Sequence, residues 1–256
     1  MRQASVGFHC PECAKSGKQK VYNARSLPQE RPLGTTSLVI VNVIVFVADI
    51  LMGTTAAVGP GQVTKGSDIE LRGALLGHGG LHSVANGDWW QPITSGFIHY
   101  GLIHIGFNMV LLFMLGRMLE PALGTVRFLC LYFMALMGGS FLVLVLSPDT
   151  RTAGASGAVF GLMGAAVVAM RSRGMNPFDS GIPQLLGLNL IFTFVFSAEI
   201  SVGGHVGGLI AGLVGGWILF ELMPRIPAGK YIAPALVVAA TVGLFIGCQV
   251  IASNPI

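Results

Sequence analysis

Two residues of opposite chemical character each lie among small residues in an apolar stretch. Ser156 stands in Gly154-Ala155-Ser156-Gly157, near the start of the apolar run 152–170. His205 stands in Gly204-His205-Val206-Gly207-Gly208, in a second such run. A hydroxyl and an imidazole on neighbouring helices make a nucleophile and its base once the helices touch. Small residues at Gly157, Gly161 and Gly164 have the helical spacing that lets another backbone come close. Glycines 204, 208, 212 and 216 form a ridge every fourth residue, expected to meet Gly157 and Gly161. On that geometry Gly207, rotated about 100° from Gly208, is expected to tolerate Ala better than Gly208 does.

At a helix start the unpaired N–H groups and the helix dipole favour an oxyanion forming beside the Ser156 hydroxyl. Gly154 and Gly157 are expected to leave room for a peptide carbonyl. A bland reading also exists for each group. A membrane-helix serine commonly bonds back to a carbonyl one turn earlier, and a buried histidine can simply bond to a neighbouring helix. A third group of residues is His99-Tyr100-Gly101-Leu102-Ile103-His104-Ile105-Gly106-Phe107-Asn108. His104 and Asn108 are four apart on one face, able to donate to an oxyanion or to act as glue between helices. The near-membrane carboxylates Asp49, Glu120 and Glu199 are not obviously placed to orient His205, so a Ser–His dyad is the economical reading.

These groups need a scaffold, and the composition states its kind. The 256 residues are 53% hydrophobic and 10% charged, against about 25% charged in a soluble domain. Apolar segments at 37–58, 99–118, 124–147, 154–171, 183–198, 203–222 and 231–252 predict seven spans and an all-α polytopic membrane protein. The formal charge of +4 is not massed on one surface, which argues against nucleic acid as a partner. The polar start of the chain lacks the apolar region of a cleavable signal peptide. Lys and Arg divide twelve against three between alternate sides. By the positive-inside rule the N-terminus is expected in the cytoplasm and the C-terminus outside a plasma membrane. Ser156 and His205 then approach the same outer surface. Trp89 and Trp90, before the second span, read as an interfacial anchor.

The order His99-x4-His104-x3-Asn108, then Gly154-x-Ser156-Gly157, then His205-x2-Gly208-x3-Gly212 resembles the rhomboid intramembrane serine proteases. Glu120-Pro-Ala-Leu-Gly124 and Asp88-Trp89-Trp90 resemble further motifs of that family, and the match spans roughly 37–222. The resemblance implies a six-helix core at 37–222, with Ser156 as nucleophile, His205 as base, and His104 and Asn108 as oxyanion donors. It also implies a long first loop partly in the membrane. No cofactor and no metal are expected at the site. Residues 223–256 would be the extra helix of the six-plus-one type. Two departures are Gln91, where many relatives have Arg, and Phe160, where many have Tyr. Phe160 can still pack under the histidine ring.

The polar tail 1–36 carries His9, Cys10 and Cys13, one ligand short of a zinc site and reminiscent of a Cys/His domain. The expected partners are the lipid bilayer and transmembrane protein substrates. The expected reaction is endopeptidase cleavage of their transmembrane segments, with a catalytically silent helix-binding protein as the alternative. A transporter would show internal repeats, and none is evident.

Overall fold

The computed structural model describes residues 32–52, 67–198 and 200–254, together with the short strands Arg2–Gln3 (β1) and Phe8–His9 (β2). Two compact units separate, residues 1–31 and 32–256. In the first, β1 and β2 pair antiparallel with Arg2 opposite His9. Cys10 and Cys13, with the zinc-type site considered for them, lie outside the described residues.

The second unit is built of helices joined by loops in its described residues. In chain order its helices are α1 (Leu33–Met52), the loop helices α2 (Asp68–Gly73) and α3 (Gln91–Thr94), α4 (Leu102–Leu123), α5 (Thr125–Leu146), α6 (Ser156–Ser172), α7 (Ile182–Val195), α8 (Val202–Trp217) and α9 (Gly229–Ser253). The seven apolar segments of the sequence thus appear as seven apolar helices. The first begins at Leu33 rather than residue 37, and the second at Leu102, which leaves His99 in the loop ahead of it. The helices α1, α4, α5, α9 and the continuous run Val202–Arg225 are long and apolar enough to cross a membrane, while α6 and α7 are apolar but shorter. Their outward faces carry Ile44, Phe107, Val110, Ile191, Val195 and Ile246, all exposed. Apolar surface of that extent is stable only where lipid replaces water. This is an all-α, multi-pass membrane protein.

The interior is built by glycines on three helices. The central helix α8 packs most extensively against α5 and next against α6. A Cβ on Gly208 would overlap the Gly157 carbonyl, and one on Gly212 would overlap the backbone of Gly161. The ridge therefore meets α6 at Gly157 and Gly161, as its spacing predicts. Gly207 is different: its face meets α5, where a Cβ would overlap the Gly138 carbonyl and lie 2.7 Å from Leu142 Cβ. The expected tolerance of Ala at Gly207 is thus incorrect, because α8 is sandwiched between α5 and α6 and has two crowded faces.

Glu120, near the end of α4, is buried and does more than end a helix. Its carboxylate accepts the backbone N–H groups of Gly34 (2.7 Å) and Thr35 (2.8 Å) and the hydroxyls of Thr35 (2.7 Å) and Thr125 (2.7 Å). The first N–H groups of α1 lack partners within their own helix, and Glu120 supplies both the acceptor and the charge their dipole favours.

The loop before α4 folds back on the chain ahead of α6. Leu75 and Thr152 exchange backbone hydrogen bonds of 2.8 and 2.9 Å, and Gly154 N–H donates to the Ser95 carbonyl at 2.9 Å. Gln91, fully buried, accepts from Leu76 N–H at 3.0 Å and donates to the Arg72 carbonyl at 3.4 Å. Trp90 also donates to that carbonyl, at 3.0 Å, while Trp89 meets Phe245 of α9 edge-on. These tandem tryptophans therefore fasten the loop to its neighbours, one through its N–H and the other through its ring.

Candidate active site

Ser156 is the first residue of α6, and His205 lies in the first turn of α8. His205 Nε2 is 2.8 Å from Ser156 Oγ. The contact depends on the glycines below it, because short side chains reach each other only where the two backbones touch. Phe160, one turn along α6, stacks beneath the imidazole with ring centroids 4.1 Å apart and planes 17° apart. That stacking fixes the ring plane without a hydroxyl. His205 itself is buried.

The peptide before the serine is held in a conformation that favours glycine. Gly154 has φ +130°, and a Cβ there would lie 2.8 Å from His104 Nε2 and 3.6 Å from Ser156 Oγ. His104 therefore flanks the serine across Gly154. Its Nδ1 accepts the Tyr100 backbone N–H at 3.2 Å, so its proton resides on Nε2, the nitrogen facing the site. His99, buried behind this ring with centroids 4.9 Å apart, accepts the Ala155 N–H on Nε2 at 3.4 Å. It braces the residue preceding the serine.

Asn108 is buried on the same face as His104, and its Nδ2 donates to the His104 carbonyl at 2.9 Å. This is a bond within α4, and Asn108 makes no hydrogen bond to Ser156 or His205. The expectation that Gly154 and Gly157 together leave room for a carbonyl is corrected in part. Gly157 faces the Gly204 carbonyl, which would lie 3.0 Å from a Cβ, so its space is filled by α8. Only Gly154 borders the reactive groups.

One residue near the Ser156–His205 pair is not apparent from its sequence context. Thr193 of α7 is buried, and its Oγ1 lies 2.6 Å from His205 Nδ1. The short segment around Asn189 shows no clear apolar face, so nothing marked Thr193 as inward-facing. Among the described residues, no three His, Cys, Asp or Glu side chains cluster as metal ligands.

Residues 86–222, just over half of the chain and containing every group described above, match a family model described as the Rhomboid domain. The chain belongs to the rhomboid family. It is 38% identical over 125 residues to the rhomboid protease GluP of Bacillus subtilis, covering 48% of this chain and 24% of GluP. It is 32% identical over 90 residues to rhomboid-like protease 3 of Toxoplasma gondii, covering 35% of this chain and 34% of that protein. It is also 30% identical over 111 residues to the inactive RHOMBOID-like protein 8 of Arabidopsis thaliana, covering 43% of this chain and 31% of that protein. The chain spans about a quarter to a third of these relatives' length. Ser156 and His205 both lie within the residues matched to the family model.

Proposed function

We propose that this rhomboid is an intramembrane serine endopeptidase acting on transmembrane segments of other proteins. The observation that carries the reading is the 2.8 Å contact between Ser156 Oγ and His205 Nε2 at the start of a helix. As Oγ attacks the scissile carbonyl carbon, its proton passes to Nε2 and the carbonyl oxygen takes the negative charge. On this reading His104 Nε2–H, which flanks Gly154, and the second N–H of Asn108 are the donors to that oxygen, together with backbone N–H groups of the first turn of α6. Collapse breaks the C–N bond, and the leaving amine takes the proton from Nε2. A water molecule then gives its proton to Nε2 while its oxygen attacks the acyl carbon. The C–Oγ bond breaks, and Oγ recovers the proton.

The helix lengths support the setting. With 17 residues, α6 spans about 25 Å at ~1.5 Å per residue, short of the ~30 Å hydrocarbon core. At that length at least one end lies below the membrane surface; on this reading it is the serine end, and hydrolysis requires that water reach it there. The distribution of Lys and Arg orients that end outward in a plasma membrane, with a cytoplasmic N-terminus and an external C-terminus. A phosphatase fused after Asn254 should be active outside the cell; an inactive fusion with a cytoplasmically active reporter would reverse the topology.

The kinship with an inactive relative favours a second reading, a helix-binding protein without chemistry. A fluorophosphonate probe separates the two. Wild type should form a covalent adduct on Ser156, found by mass spectrometry, and His205→Ala should lose most of it. A wild-type protein that remains unlabelled would support the silent reading.

A further inference from the structure

We infer that Thr193 is a positioning residue for His205: its hydroxyl accepts the Nδ1 proton and so leaves Nε2 free as the base that Ser156 requires. The inference deepens the serine-protease reading and rests on it for its catalytic consequence. The direction of the hydrogen bonds follows from counting hydrogens. Thr193 Oγ1 is 2.7 Å from the Asn189 carbonyl oxygen and 2.6 Å from His205 Nδ1. Each of these contacts is favourable only with a hydrogen between its two atoms, and a threonine hydroxyl has one. The carbonyl has none, so the hydroxyl hydrogen goes to Asn189, where a helical threonine ordinarily back-bonds. The hydrogen in the second contact must then belong to Nδ1.

The chain of donors runs one way, from Ser156 O–H to Nε2, from Nδ1–H to Thr193, and from the Thr193 hydroxyl to Asn189. When Nε2 takes the serine proton, the ring becomes cationic and the Nδ1–H bond to Thr193 becomes charge-assisted. A hydroxyl whose own hydrogen is already committed thus occupies the place that a carboxylate holds in a triad. Thr193 is also the one buried residue of α7. The position of that whole helix is therefore coupled to the dyad at a single oxygen, and a shift of α7 would remove the group that selects the tautomer.

The test compares wild type, Thr193→Val, Thr193→Ser and Ser156→Ala, each purified and checked for an unchanged unfolding temperature. If Val unfolds the protein, Thr193→Ala takes its place with the same expectation. Val keeps the shape and removes the acceptor, so kcat should fall roughly 10- to 100-fold with little change in KM, while Ser should recover activity to within about threefold. Nitrogen-15 spectra of labelled histidine, with His205 assigned through His205→Gln, give a second readout that needs no turnover. Wild type and Thr193→Ser should show the Nδ1–H form, and Thr193→Val a mixture of tautomers. Loss of the pure Nδ1–H form in Val, together with a kcat defect that Ser repairs, supports the inference. An unchanged Nδ1–H form in Val, or undiminished kcat beside an inactive Ser156→Ala, overturns it. Cleavage by Ser156→Ala would instead overturn the protease reading, leaving the tautomer result to stand or fall on the spectra.

Discussion

The Tyr100 N–H bond to His104 Nδ1 leaves that ring's other nitrogen as a donor beside Gly154 and Ser156. Asn108 has one N–H committed to the His104 carbonyl and a second still available. If both donate to the oxyanion as proposed, Asn108→Ala should lower turnover about 10-fold or more, since one donor of several is lost. His104→Ala should do the same, and the double variant should cost less than the product of the two because they share a network. The check is kcat on folded protein; full activity in Asn108→Ala would reduce Asn108 to a structural amide. Much at this scale was legible from residue types and order. Ser156 and His205 could be read because each sits among glycines at helical spacing, while the packing of Phe160 under the imidazole was suggested by the family resemblance. Thr193 could not, because its partner lies on another helix and its own helix shows no periodic face. Nor could the tautomers, which depend on which backbone N–H points at which nitrogen.

At the scale of helices, the glycine ridge sets the distance between Ser156 and His205. Gly208→Val places a branched side chain against the Gly157 carbonyl. The resulting separation of α6 and α8 should cost about a hundredfold in rate even with every catalytic group retained. Gly207→Ala should lower the unfolding temperature as well, because its Cβ meets the Gly138 carbonyl and Leu142 of α5. Activity and thermal unfolding measured together test both; a fully active Gly208→Val would mean the helices do not meet through this ridge. The α6 contact was readable from matching small residues every fourth position on both helices. The α5 contact was not, since Gly138-Gly139 is a pair without a repeat. Glu120 shows the same limit, for its partners Gly34 and Thr35 are 86 and 85 residues away. Glu120→Ala removes the acceptor of two buried N–H groups and should destabilise the fold by about 2–4 kcal/mol. Denaturant unfolding in micelles measures it, and an unchanged midpoint would show that α1 needs no cap from α4.

Across the whole molecule, the seven apolar helices among the described residues, a loop bonded to the peptide ahead of α6, and a part-buried serine–histidine contact form one arrangement. The number and order of the apolar helices were plain from apolar length, because a bilayer demands such runs wherever the chain crosses it. How the loop binds back was not, since Gln91, Ser95 and Thr152 carry no pattern and act through backbone groups distant in sequence. The central claim is that this arrangement cuts peptide bonds through Ser156. Its most direct measurement is cleavage of a single-pass transmembrane substrate by purified protein in liposomes, comparing wild type with Ser156→Ala and following the products by mass spectrometry. The account predicts two fragments that meet within or beside the transmembrane segment for wild type, and intact substrate for Ser156→Ala. Equal cleavage by both proteins would contradict it.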